Sequence, residues 1–292
     1  MFINISPGIQ LKVVYDDVAK SNYKYIGTYL ITVPRFLVVC PNIIKIMLQT
    51  DFSYFSNRSF YCKENDPLSQ NLFSIGGKKW RSVRSKLSTA FIATKLKAMH
   101  PILMQRGEDL RNIIREKSVS KELVDIKDIG MSYNINVIAS YGFGKECNCF
   151  LSDTEFKRQG IKVFDFLSTY RTVKLVIVGF ESSTSALTFC LYEISINLEI
   201  QEKLRKEIFL VSTKYDILNY EALLEIKYMD QFISETLRKY PPVTFISRIC
   251  VKDYCIPNSN SVLPKGTPVD FYILGLHHNP NYYAEPEKSD PE

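Results

Sequence analysis

The chain has 292 residues, 46% hydrophobic, 23% charged and 13% aromatic, enough for one large core or two smaller ones. Its net charge of +6 allows an acidic partner or a membrane surface but requires neither. The sequence carries no zinc finger, no basic region with heptads, no zinc-type cysteine spacing and no apolar run long enough to span a bilayer.

Residues 1–17 read as neither a signal peptide nor a targeting segment. Tyr25–Thr32 and Phe36–Cys40 are β-branched and aromatic runs separated near Pro34, which predicts a hairpin. Pro41 opens a helix over Asn42–Gln49. Asp51–Gly77 is polar and turn-rich and reads as a long loop. Helices are predicted over Lys78–Leu87, Leu96–Lys117 and Val124–Phe143. A long apolar helix comes next over Val173–Leu198 despite Gly179, then a charged one over Ile200–Ser212. A further helix ends near Tyr240, because Pro241 and Pro242 cannot continue it. Strands and turns fill the remainder. The fold class is mainly α with a small β region. Cysteines 40, 62, 147, 149, 190, 250 and 255 form no disulfide framework, which points to reduced thiols facing a cytosol.

Three spacings draw attention. Glu235 and Arg238 lie three apart on the helix that ends at the double proline, so they share a face and can pair. A solvated surface pair is the bland reading. Trp80 and Arg84 lie four apart; an indole packed on an arginine stem is the bland reading there. Val178-Gly179-Phe180-Glu181-Ser182-Ser183-Thr184 places a glycine, an acid and hydroxyls within one helix. Hydroxyls bonded to carbonyls one turn back are the alternative. His277 and His278 are adjacent; on a strand they would face opposite sides and could not share a metal.

In order, these blocks resemble the cytochromes P450, closest in wording to microsomal, insect-type detoxifying members. Ser234–Val243 is similar to the family's Glu-x-x-Arg helix and proline turn. Tyr220–Asp230 resembles the approach to it. Arg248, Leu263-Pro264-Lys265-Gly266-Thr267 and His277-His278-Asn279-Pro280 resemble the family's stretch between that turn and the haem loop. The resemblance implies that Trp80, Arg84 and Arg248 bind haem propionates, and that Gly179, Glu181 and Ser182 belong to the oxygen-activating segment. Val178 stands where a small residue is usual, and Ser182 where threonine is usual. The resemblance further implies a haem cofactor and an apolar small-molecule substrate. It implies electrons from an NADPH-dependent flavoprotein reductase and a place on the cytosolic face of the endoplasmic reticulum membrane, without nucleic acid. Lys78, Lys79 and Arg81 could dock an acidic reductase; a solvated face is the alternative.

Three family segments have no counterpart. The motif Phe-x-x-Gly-x-Arg-x-Cys-x-Gly, which supplies the axial thiolate, does not occur, so no cysteine is assigned to iron. Residues 1–166 resemble the family up to its fifth main helix, and residues 173–292 resemble it from the central helix onward. The helices that roof the substrate pocket fall between them. The membrane anchor of microsomal relatives is also missing. The expectation is a fragment of the fold that lacks roof and thiolate and is inactive as a monooxygenase. A non-catalytic remnant and a basic helical interaction protein are the alternatives.

Overall fold

The computed structural model describes residues 6–59, 70–150, 154, 155, 157, 158, 174–215 and 218–292, apart from the side chains of residue 90 and residues 174–180. Its helices are α1 (Pro7–Lys20), α2 (Pro41–Lys45), α3 (Gly77–Ser88), α4 (Ala93–Ser120) and α5 (Ile126–Phe143). They continue with α6 (Lys174–Ile196), α7 (Leu198–Lys214), α8 (Tyr220–Glu225), α9 (Lys227–Lys239) and α10 (Ile273–His277). The strands are β1 (Tyr25–Leu30), β2 (Val33–Val38), β3 (Ile246–Ile249), β4 (Tyr254–Cys255), β5 (Val262–Leu263) and β6 (Pro268–Phe271). The chain forms two compact units, Met1–Arg84 with Arg238–Ser289, and Ser85–Leu237 with Asp290–Glu292.

The first unit is built on a sheet of order β1-β2-β6-β3, beside a small β4–β5 ladder. β1 and β2 form an antiparallel hairpin with Leu30 opposite Val33. Pro34 lies inside β2 and pairs with Tyr29, so the strand begins earlier than the sequence suggested. The closing pair of a two-residue hairpin exchanges both its hydrogen bonds, and the next pair exchanges none. Pro34 falls in that second pair. Its missing N–H then costs nothing on the β6 side, because β6 pairs only Phe36 and Leu37. Leu37, Val38, Val269 and Phe271 are fully buried from the sheet. Val38, Val269 and Phe271 pack with Met47 and Phe55 from the turns after α2. Arg35 reaches Asp270 through both carboxylate oxygens and donates to Ser247 Oγ at 2.5 Å, tying β2, β6 and β3 together by side chains.

Helix α1 was not foreseen. Ser6-Pro7 is a helix-opening pair, and Leu11, Tyr15 and Val18 recur at helical spacing. These side chains pack on Leu37, Val39 and Tyr272. Gly275 makes that contact possible, since a Cβ there would come within 2.4 Å of the Tyr15 ring.

The second unit is helical. α5 packs on α4 and α6. Asp125 caps α5 by accepting the Asp128 N–H at 3.0 Å, and Asn219 caps α8 by accepting the Ala222 N–H at 2.8 Å. Glu207 of α7 accepts the N–H groups of Tyr228 (2.9 Å) and Met229 (3.2 Å), covering the start of α9. Ile200 and Leu204 of α7 bury against Phe232 of α9. No helix among the described residues is long and apolar enough to cross a membrane.

Candidate functional site

Trp80 and Arg84 sit on α3, and the first unit fixes how α3 starts. Asn57 Oδ1 accepts the Gly77 N–H at 2.9 Å, and Asn57 O accepts the Ile249 N–H at 2.8 Å. One residue therefore joins the entry of α3 to β3, beside Arg248. Gly76 is required for this approach, because a Cβ there would lie 2.6 Å from Asn57 Oδ1. Trp80 is half-buried, its ring 5.8 Å from that of Phe52. α3 carries no acid: Lys78, Lys79, Arg81, Arg84 and Lys86 are all exposed cations.

Arg58, next to Asn57, is a residue that the sequence did not single out. It lies in the stretch read only as a polar loop, where no periodicity marks a side chain. Its guanidinium is pushed below the ordinary arginine range by burial and by Arg84. It lies over the Phe73 ring at 4.8 Å. Arg248 is pushed down to about 10 by burial and by Arg58. Arg58 thus lies within electrostatic reach of Arg84 on α3 and of Arg248 on β3. Among the described residues, no carboxylate is among the charges that shift either Arg58 or Arg248. Arg248 Nη1 donates to the neighbouring Ser247 O at 3.0 Å, while its Nε is buried with no hydrogen-bond partner among the described residues. A buried donor without an acceptor, inside a cluster of like charge, is costly unless an anion completes it.

The other sequence candidates lie in the second unit. α6 is helical without interruption through Gly179. Glu181 pairs with Lys127 of α5 at 3.7 Å, and Ser182 is exposed. Further along the helix, Thr184 is fully buried and accepts a hydrogen bond from Asn134 at 3.0 Å.

On α9, Arg238 is buried; it donates to His277 O at 2.8 Å and to Lys288 O at 3.2 Å, and lies over the Tyr283 ring at 4.9 Å. Glu235 is half-buried and accepts the Asp290 N–H at 3.1 Å. The two histidines are not on a strand. His277 ends α10 and His278 comes directly after it; their rings reach the carbonyls of Arg238 (3.2 Å) and Lys239 (2.8 Å). Both close the end of α9. Among the described residues no group of three His, Cys, Asp or Glu could hold a metal ion, and Cys40, Cys147, Cys149, Cys190, Cys250 and Cys255 are free thiols. Cys62 lies outside the described residues.

The family model of cytochrome P450 matches this chain over residues 2–175 and 169–292. The chain belongs to the cytochrome P450 family. It is 33% identical to "Cytochrome P450 6A1" of Musca domestica, over 91% of this chain and 69% of the relative. It is 27% identical to "Cytochrome P450 6k1" of Blattella germanica, over 98% and 72%. It is 28% identical to "Probable cytochrome P450 6a14" of Drosophila melanogaster, over 97% and 75%. The cytochrome P450 alignment to the Blattella protein runs over 385 positions, more than the 292 residues of this chain, so that relative carries residues with no counterpart here. A mainly helical body with a small sheet region is the cytochrome P450 fold expected of such a partial match.

Proposed function

We propose that Trp80, Arg84 and Arg248, with Arg58, form the propionate-holding end of a haem site in this cytochrome P450. The observation that carries the reading is Arg248, whose buried Nε has no acceptor among the described residues, next to Arg58, which is shifted by burial and a like charge. Two carboxylates would supply the buried Arg248 Nε with the acceptor that no described residue gives it. Arginine forks suit them, and the Trp80 indole N–H adds a further donor. When bound, haem supplies the activation of dioxygen and the transfer of one oxygen atom to an apolar substrate.

In the same reading, Gly179 of α6 belongs to the oxygen-activating segment. Glu181, whose carboxylate pairs with Lys127, and the hydroxyl of Ser182 are the groups of that segment that would relay protons. The exposed face of Lys78, Lys79 and Arg81 suits an acidic, NADPH-dependent flavoprotein reductase at the cytosolic side of the endoplasmic reticulum membrane. The 292 residues contain no thiolate loop, and we propose that they form no competent haem–thiolate centre by themselves. Residues 1–166 and 173–292 flank the place where a roof block is missing. Supporting that reading, the family model matches in two stretches that meet at residues 169–175.

Trp80 is the single tryptophan of the chain, so haemin capture beside it quenches the protein's fluorescence. Titration with haemin, and with its dimethyl ester as a control without free carboxylates, tests the proposal. Arg248→Leu and Arg58→Leu should each weaken haemin binding by about tenfold or more, the loss expected for one charge-assisted hydrogen bond. The ester should bind the parent chain and the variants alike. Equal haemin affinity in the parent and both variants would overturn the assignment.

A further inference from the structure

We propose that Ser59 and Ser247, locked by Arg35 and Asp270, are positioning residues: they hold Arg58 and Arg248 together at the propionate site, on whose assignment this proposal rests. β3 is the outer strand of its sheet, and the loop after the turns of α2 runs along its free edge. An antiparallel bridge pairs Asn57 with Ile249. Continuing that register sets Arg58 beside Arg248 and Ser59 beside Ser247. The side chains agree. Ser59 Oγ and Ser247 Oγ lie 2.6 Å apart and share a hydrogen bond, and Arg58 is the charge that acts on Arg248.

Like charges placed side by side across two strands push the strands apart. No carboxylate of the described residues is among the charges that shift Arg58 or Arg248. Something else must therefore hold the loop against β3. On one side of the arginines the tie is backbone, the Ile249 N–H donated to Asn57 O at 2.8 Å. On the other side it is the serine pair.

The serine pair is anchored from inside the sheet. Successive strand residues face opposite sides, so Ser247 lies with its partner Asp270 and Arg248 with its partner Val269. On the Ser247 side, Arg35 Nη2 donates to Ser247 Oγ and to Asp270 Oδ1, each at 2.5 Å, and Arg35 Nε donates to Asp270 Oδ2. A two-oxygen fork fixes the guanidinium plane, so Ser247 meets a donor that cannot swing away. The Arg35 and Asp270 side chains are 10% and 4% exposed, which keeps water from competing for the lock, whereas Ser59 is exposed. One cation and one anion give the lock no net charge. It holds Arg58 and Arg248 in place without neutralising them, and their charge remains for an incoming carboxylate.

The experiment titrates the full chain with haemin and with haemin dimethyl ester, read by Trp80 fluorescence. Ser247→Ala and Ser59→Ala are compared with Ser247→Thr, which keeps the hydroxyl and suits a strand. Each alanine variant should bind haemin about twofold to tenfold more weakly, the scale of one neutral hydrogen bond, and bind the ester as the parent does. Ser247→Thr should bind haemin like the parent. Amide exchange along β2 and β6 is measured alongside, and Ser59→Ala, at an exposed loop position, tests the tie without touching the sheet. Unchanged haemin affinity in both alanine variants, with Arg248→Leu weakened, would overturn this proposal and leave the propionate site standing. An equal loss for haemin and its ester would also overturn it, because the serines would then support the fold rather than the arginines. Unchanged haemin affinity in Arg58→Leu and Arg248→Leu is the separate result that removes the site itself, and this proposal with it.

Discussion

Replacing Arg248 by methionine should stabilise the ligand-free chain, although Arg248 is half-buried and hydrogen-bonded. Its folded pKa falls from 12.5 to about 10 through burial and Arg58. One pKa unit is about 1.4 kcal/mol, so holding this cation in the fold costs about 3 kcal/mol before screening. The side chain is partly exposed, which we allow for by halving the figure to about 1.5 kcal/mol. The hydrogen bond from Nη1 to Ser247 O is lost in the variant, a cost of about 0.5–1 kcal/mol. Methionine keeps the apolar stem in place and is flexible enough to fill the remaining space. The net expectation is a gain of about 0.5–1 kcal/mol, read as a higher urea midpoint at unchanged slope. Haemin should remove the advantage, because only the parent arginine gains an anionic partner. A loss of about 2 kcal/mol or more in the ligand-free variant would refute the reasoning, since the arginine would then be satisfied without a ligand.

Arg238→Met breaks two charge-assisted hydrogen bonds to His277 O and Lys288 O at a buried site and should cost about 3–5 kcal/mol, measured by urea unfolding. Asp270→Asn leaves Arg35 buried beside a neutral partner and should destabilise the first unit by about 3 kcal/mol, seen as lost amide protection along β2 and β6. Gly76→Ala forces Asn57 away from the start of α3 and should weaken haemin capture several-fold while leaving the amide protection of α5 and α6 unchanged. Asn134→Leu should cost about 1–2 kcal/mol through the stranded Thr184 hydroxyl, and adding Thr184→Val should recover part of that loss.

Local rules carried much of the fold. Pro41 and Pro242 mark a helix start and a helix end because proline cannot act otherwise, and the apolar periodicity of α5 and α6 is strong. Helix boundaries moved by only a few residues, as for α3, which begins at Gly77. α1 went unseen although Ser6-Pro7 and the Leu11, Tyr15, Val18 spacing announce it, because the start of a chain is read first for a leader. The histidine pair was weighed as strand residues; instead His277 ends the short helix α10 and His278 follows it, with Gly275 in that helix lying close against Tyr15. Arg84 and Arg248 could be named from motifs 164 positions apart in the sequence. Arg58 could not, because the mark it carries, that no carboxylate of the described residues is among the charges shifting it, only a folded chain displays.

We propose that the chain keeps the propionate end of a haem site and that these 292 residues form no haem–thiolate centre by themselves. The carbon monoxide difference spectrum of the reduced, haem-reconstituted 292-residue chain tests that claim most directly. Haem should be retained through Trp80, Arg58, Arg84 and Arg248, and the long-wavelength Soret band of thiolate ligation should not appear. A clear thiolate-type band would mean that one of the seven cysteines ligates the iron, and would contradict the account.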